Sequence, residues 1–148
     1  MAAVITGGAI SGTATLSAVI LRDRLAARQV AQGRDVELRG LARTAGLQLH
    51  QAEAFFNTSA ENRRLFHDIR RLPTADTLSA HIQPLAAHLD PTSWRRVRTA
   101  IATLIGAESL RDEEPMRPLP EEEVRDFRAY ASSCKDARVL LDAFADGS

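Results

Sequence analysis

The chain of 148 residues has one cysteine, Cys134, and one lysine, Lys135. A single thiol excludes an intrachain disulfide and a cysteine-based zinc site within one chain, and it fits a reducing compartment. Aromatic residues make up only 5%, so a core must come from Leu, Ile, Val and Ala, which suits helix packing and argues against sandwiches and barrels. Net charge is zero, which excludes binding of nucleic acid or acidic lipid by bulk electrostatics alone. Gly7-Gly8 lacks the Lys-Ser/Thr of a phosphate-binding loop, no HExxH occurs, and no repeat of 20–50 residues is present. His81 and His88, on one face of a straight helix, would stand about 10 Å apart, too far to share an ion. No cofactor, metal or small-molecule substrate is expected, and no catalytic residue stands out. Cys134 reads as a small buried hydrophobe, because nothing places an oriented histidine beside it.

Charge is absent from Met1 to Leu21. As a helix the apolar run from Ala3 spans roughly 28 Å, close to the hydrocarbon thickness of a bilayer. A secretory signal would need basic residues before the run, and the first basic residue is Arg22, after it. The segment is expected to be a single transmembrane helix, with burial in a soluble core as the alternative. Arg22, Arg24 and Arg28 at its C-terminal end then place the body in the cytoplasm by the positive-inside rule. Gly8 and Gly12 have the small-xxx-small spacing that lets two helices approach in lipid.

The remaining chain is punctuated by its prolines and caps. A pause is expected at Gly33, then a helix from Val36 to Phe56. Thr58 and Glu61 have capping-box spacing for a short helix ending at Leu72 before Pro73. Thr74 or Asp76 can cap the next helix, whose stripe is Leu78, Ile82, Leu85 and Leu89, with a kink at Pro84. Asp90-Pro91 is a strong start signal, and the following helix is expected to bury Trp94, Val97, Ile101, Leu104 and Ile105, with Arg95, Arg96 and Arg98 pointing mainly elsewhere. Glu113 to Pro120 contains three prolines in eight residues and reads as an extended linker. Pro120 with Glu121, Glu122 and Glu123 opens a last helix, because the macrodipole favours acids in the first turn. Its apolar stripe runs through Val124, Phe127, Tyr130, Ala131, Cys134, Ala137, Leu141 and Phe144. The expected organisation is an N-terminal hydrophobic helix with juxtamembrane stretch (1–33), a helical bundle (34–112), a proline-rich linker (113–119) and an amphipathic helix (120–145).

Two features invite a binding role. Arg63-Arg64 and Arg70-Arg71, seven apart on one expected helix, can form a basic face for phosphates or other anions, extended by Arg95, Arg96 and Arg98. The stripe Val124, Phe127, Tyr130, Leu141 and Phe144 either closes the bundle or docks a partner helix.

Across residues 3–112 the layout, an uncharged N-terminal helix, an Arg- and Ala-rich stretch and a small Leu/Ala bundle, resembles that of uncharacterised single-span helical proteins of high-GC bacteria. The resemblance implies a cytoplasm-facing helical module on a membrane tether and transfers no functional residue. The expectation is therefore an all-α protein serving as a non-catalytic, membrane-tethered interaction or scaffold module, with a protein partner or self-association. The alternative is a soluble oligomeric regulatory protein that contacts nucleic acid or other anions through its arginines.

Overall fold

A computed structural model describes residues 10–147, with side chains described at 19 and from 21 onward apart from 67 and 68. Every regular element among them is helical. Helix α1 runs Ile10–Asn62 without interruption. This corrects the expected pause at Gly33 and the separate helices on either side of residues 57–59. Gly33 and Gly40 are exposed, and an exposed helical glycine costs only about 1 kcal/mol relative to alanine. With no proline from 10 to 62, that cost does not end a helix flanked by good formers. Thr58 and Glu61 lie inside α1 and form no capping box; instead Ser59 and Ala60 are buried. The helix ends where Arg63 adopts a left-handed conformation (φ 53°) and the Arg64 amide reaches back to the Ser59 carbonyl at 3.1 Å, the backbone pattern that satisfies terminal carbonyls.

The chain divides into two compact units between Glu37 and Leu38. In the first, every described side chain is exposed, including Val19, Leu21, Leu25, Val30 and Val36. Among the described residues no helix is long and apolar enough to cross a membrane. The first nine residues of the uncharged run lie outside the described residues.

The second unit is a helical bundle. In α1, Leu38, Ala42, Ala45, Leu49, Ala52 and Phe56 are buried at alternating steps of four and three, the seam that lets two helices lie nearly parallel. Helix α4 (Glu121–Asp146) answers with Val124, Phe127, Ala131, Cys134, Ala137, Leu141 and Ala145. The two run antiparallel: Arg39 lies beside Gly147, Gly46 beside Asp142, Glu53 bonds Arg138 at 3.0 Å, and Arg63 pairs with Glu121 at 3.0 Å. Midway, Phe55, Phe56, Phe127 and Tyr130 pack largely edge-to-face, with Phe56 and Phe127 centroids 5.3 Å apart, a geometry that aromatic quadrupoles favour.

Helix α2 (Ala75–Ile82) is capped by Thr74, whose hydroxyl accepts from the Thr77 amide. The carboxylate of Glu108 takes the Ala75 amide at 2.9 Å, and Arg111 donates to the carbonyls of Leu72 and Pro73. Glu108, the last residue of helix α3 (Pro91–Glu108), and Arg111 just after it thus hold the start of α2. Where a kinked helix was expected at Pro84, α2 stops and Gln83–Leu85 forms a 3-10 turn, because proline has no amide to continue the ladder. Leu78, Ile82 and Leu85 are nonetheless fully buried. Helix α3 (Pro91–Glu108) starts at Asp90, whose carboxylate accepts the amides of Thr92 and Ser93 at 2.9 and 3.1 Å.

The stretch expected as a linker is hydrogen-bonded to the end of α1. Leu65 donates to the Arg117 carbonyl, Met116 to the Leu65 carbonyl and Leu119 to the Arg63 carbonyl, making an antiparallel bridge between Arg64 and Pro118. Leu119 is buried, and the Arg117 guanidinium joins Glu113 to Glu123. Proline density kept this segment from being helical, but its free carbonyls and remaining amides still pair.

Candidate functional site

The arginine face expected from sequence does not assemble on one helix. Arg63 and Arg64 follow α1, while Arg70 and Arg71 end a 3-10 turn over His67–Arg71. The spacing of seven implied a shared face only if the backbone stayed helical between them, and the bridge at Arg64 breaks it. Arg63 is also neutralised by Glu121. Arg71 instead borders a groove of about 600 Å³ lined by Gln51, Ala54, Phe55 and Thr58 of α1 and by Phe66 and Leu72.

The apolar stripe of α4 is occupied within the chain. Val124, Phe127 and Leu141 are buried, and Tyr130 and Phe144 are half-buried against the same core. Cys134 lies at its centre, fully buried, and burial with the nearby Glu53 charge pushes its thiol up to about 12. At neutral pH it is a protonated, inaccessible thiol, the opposite of the exposed thiolate that nucleophilic chemistry uses.

The proposed helix-packing pair falls partly outside view: Gly8 lies outside the described residues, and Gly12 is in the first turn of α1. Of the histidines, His81 Nδ1 is 3.2 Å from the Gln48 amide oxygen, His50 is 4.0 Å from Glu53, and His88 is exposed. Among the described residues no three His, Cys, Asp or Glu side chains come together as a metal site. Among the described residues two other titrations are perturbed. The Ser93 hydroxyl and the amides of Ser93 and Thr92 hold the Asp90 carboxyl below its ordinary value, and Glu123, then Glu113, hold the Arg117 guanidinium above its own. Both are explained by capping and bracing.

Helix α3 departs most from expectation. Its buried face is Val97, Ala100, Thr103, Leu104 and Ala107, while Trp94 and Ile101 are half-buried and Ile105 is 58% exposed. The expected stripe is rotated because the small Ala100 and Ala107 face inward, where they let α3 come close to its neighbours. Trp94, Arg98, Ile101 and Ile105 therefore form a continuous line along the flank of α3. Two depressions of about 530 and 270 Å³ meet along Trp94, Arg98 and Ala102, the smaller bounded by Ser79 of α2 and Gln83 of the 3-10 turn after it. This flank was missed in the sequence. The available signal was the three-four-three spacing of Val97, Ala100, Leu104 and Ala107, which competes with the larger residues for the core.

Compared with known proteins, the chain matches no family model, no curated protein and no solved structure.

Proposed function

We propose that the chain is a non-catalytic helical interaction module, held at a membrane by its N-terminal helix with the C-terminal body on the cytoplasmic side. The observation that carries this reading is the change in burial along α1. From Leu38 the helix contributes a buried seam, whereas from Leu21 to Glu37 every side chain is exposed. A stretch that buries nothing within its own chain, preceded by an uncharged run, has its use in lipid or in a partner. Arg22, Arg24 and Arg28 after that run support the orientation. The pinned proline-rich segment and the filled core support a rigid body with its binding residues on the surface.

Fractionation tests the tether. The full chain is expected to stay with membranes through a carbonate wash and to leave with detergent, while a chain beginning at Arg34 is soluble and helical. Release of the full chain by carbonate, or retention of the shortened one, would overturn it. A second reading is favoured by the lack of a membrane-crossing helix among the described residues: the exposed Val19, Leu21, Leu25 and Val30 are covered by a second copy. In that case the carbonate-released chain is an oligomer and becomes a monomer when shortened.

A further inference from the structure

We propose that the flank of α3, along Trp94, Arg98, Ile101 and Ile105, docks an acidic amphipathic helix of a partner protein. The inference rests on reading the body as an interaction module and is independent of the tether.

Charge is the first argument. From Pro91 to Ala107, α3 carries Arg95, Arg96 and Arg98 and no acid. All three are exposed, and among the described residues none of their guanidinium groups has an ion pair or hydrogen bond. Elsewhere Arg63, Arg117 and Arg138 are matched by carboxylates. The nearest acid in sequence, Asp90, has its Oδ1 engaged by the amides of Thr92 and Ser93. Across the smaller depression, Ser79 of α2 and Gln83 of the following 3-10 turn are uncharged, and the acid of α2, Asp76, lines neither depression. Arg95 and Arg98 border the depressions, while Arg96 lines neither; two exposed cations without counter-charge are complementary to a carboxylate-bearing surface, and arginine suits it because its planar fork engages carboxylates in pairs.

Shape is the second. Trp94 to Ile105 covers about 16 Å, three helical turns. The two depressions lie on either side of the ridge made by Trp94, Arg98 and Ala102, as holes that receive side chains at helical spacing. The exposed Ile105 and half-buried Ile101 supply apolar contact, and the small, exposed Ala102 permits close approach. A bilayer would call for an exposed aromatic wedge, whereas Trp94 is half-buried; a nucleic acid would have no apolar side chains for these holes. The occupant is thus a helix with one apolar face and acids beside it.

Trp94 is the sole tryptophan, so its emission reports this face alone. The full chain, in non-ionic detergent where required, is titrated with a peptide of about two Glu-Leu-Ala-Glu-Leu-Leu-Glu heptads, long enough for the three-turn flank, and with the same peptide carrying Lys for Glu. The Glu peptide should shift Trp94 emission saturably, and the Lys peptide should bind at least about tenfold more weakly, roughly the discrimination expected from like-charge juxtaposition at such a surface. Combining Arg95→Glu with Arg98→Glu should reverse the preference, and Ile105→Asp should weaken the Glu peptide about tenfold or more, whereas Arg125→Glu on α4 should leave it unchanged. Circular dichroism of each variant confirms that these exposed substitutions leave the helices intact. Equal binding of the two peptides, no response at Trp94, or affinity indifferent to the Arg95 and Arg98 reversals would overturn the assignment. So would a stronger response to single-stranded DNA or anionic vesicles that survives Ile105→Asp, since the face would then be a polyanion surface. A chain that keeps to membranes in the carbonate wash but gives no peptide response loses this site and keeps its tether.

Discussion

Arg63 has to hold a left-handed backbone at the end of α1, and its φ of 53° is costly for any residue with a Cβ. Its ion pair with Glu121 joins two largely exposed side chains and contributes little. Arg63→Gly should therefore raise stability by about 0.5–1 kcal/mol, read as a higher urea midpoint. Phe56 is the opposite case, a fully buried ring in contact with Phe55, Phe127 and Tyr130. Phe56→Ala should cost about 3–5 kcal/mol through lost burial and the cavity left behind, which the same denaturation measures. Cys134 adds a pH dependence. Its thiol ionises near 9.0 when free of the fold and near 12 inside it, so the folded state holds the proton more tightly. The resulting stability is complete below pH 9 and is lost as pH rises toward 12, at about 1.4 kcal/mol per unit. Urea midpoints from pH 8 to 11 should fall more steeply for the native chain than for Cys134→Ala.

At the scale of elements, the two bundle glycines of α1 differ in what a methyl group would meet. At Gly40 a Cβ would have nothing within 4 Å, while at Gly46 it would lie 2.7 Å from the Asp142 carboxylate. Gly40→Ala should stabilise by about 1 kcal/mol from helix propensity alone. Gly46→Ala should gain less, because Asp142 must move away from Arg138, its partner at 3.4 Å. In an Asp142→Ala background the difference between the two substitutions should disappear, a coupling that a double-mutant cycle measures. Element ends are where local chemistry spoke most directly. Asp90-Pro91 and Pro120 with its three glutamates begin α3 and α4, since capping depends on residues a few positions away. The end of α2 at Pro84 has the same local origin. The continuation of α1 past Gly33 and residues 57–59 does not: weak local breakers lose to burial of Phe55, Phe56 and Ala60 and to good helix formers on both sides.

For the whole molecule, the two units should differ in how they open. From Leu21 to Gln32 the side chains are exposed, and a helix with no tertiary cover has only its own marginal stability. Leu49, Phe56, Val97 and Leu141 are fully buried in the second unit. Hydrogen exchange on the detergent-solubilised chain should show fast amides from Leu21 to Gln32 and globally limited exchange around those core residues. Protection across Leu21 to Gln32 comparable to that at Leu49 would mean that this stretch is covered.

The sequence by itself determined the helical class and the starts of α3 and α4, because composition, capping and proline act locally. It also marked α4 as amphipathic, with the 3.6-residue period of its apolar positions. Only the tertiary structure decided which of those positions are satisfied within the chain. It turned α3 so that Ala100 and Ala107 face the core, leaving Trp94 and Ile105 on the flank beside Arg98, and it broke the arginine series at Arg64 by bridging that residue to Pro118. Which face a helix buries depends on the size of the side chains opposite and on how closely two backbones can approach, and those neighbours come from distant parts of the chain.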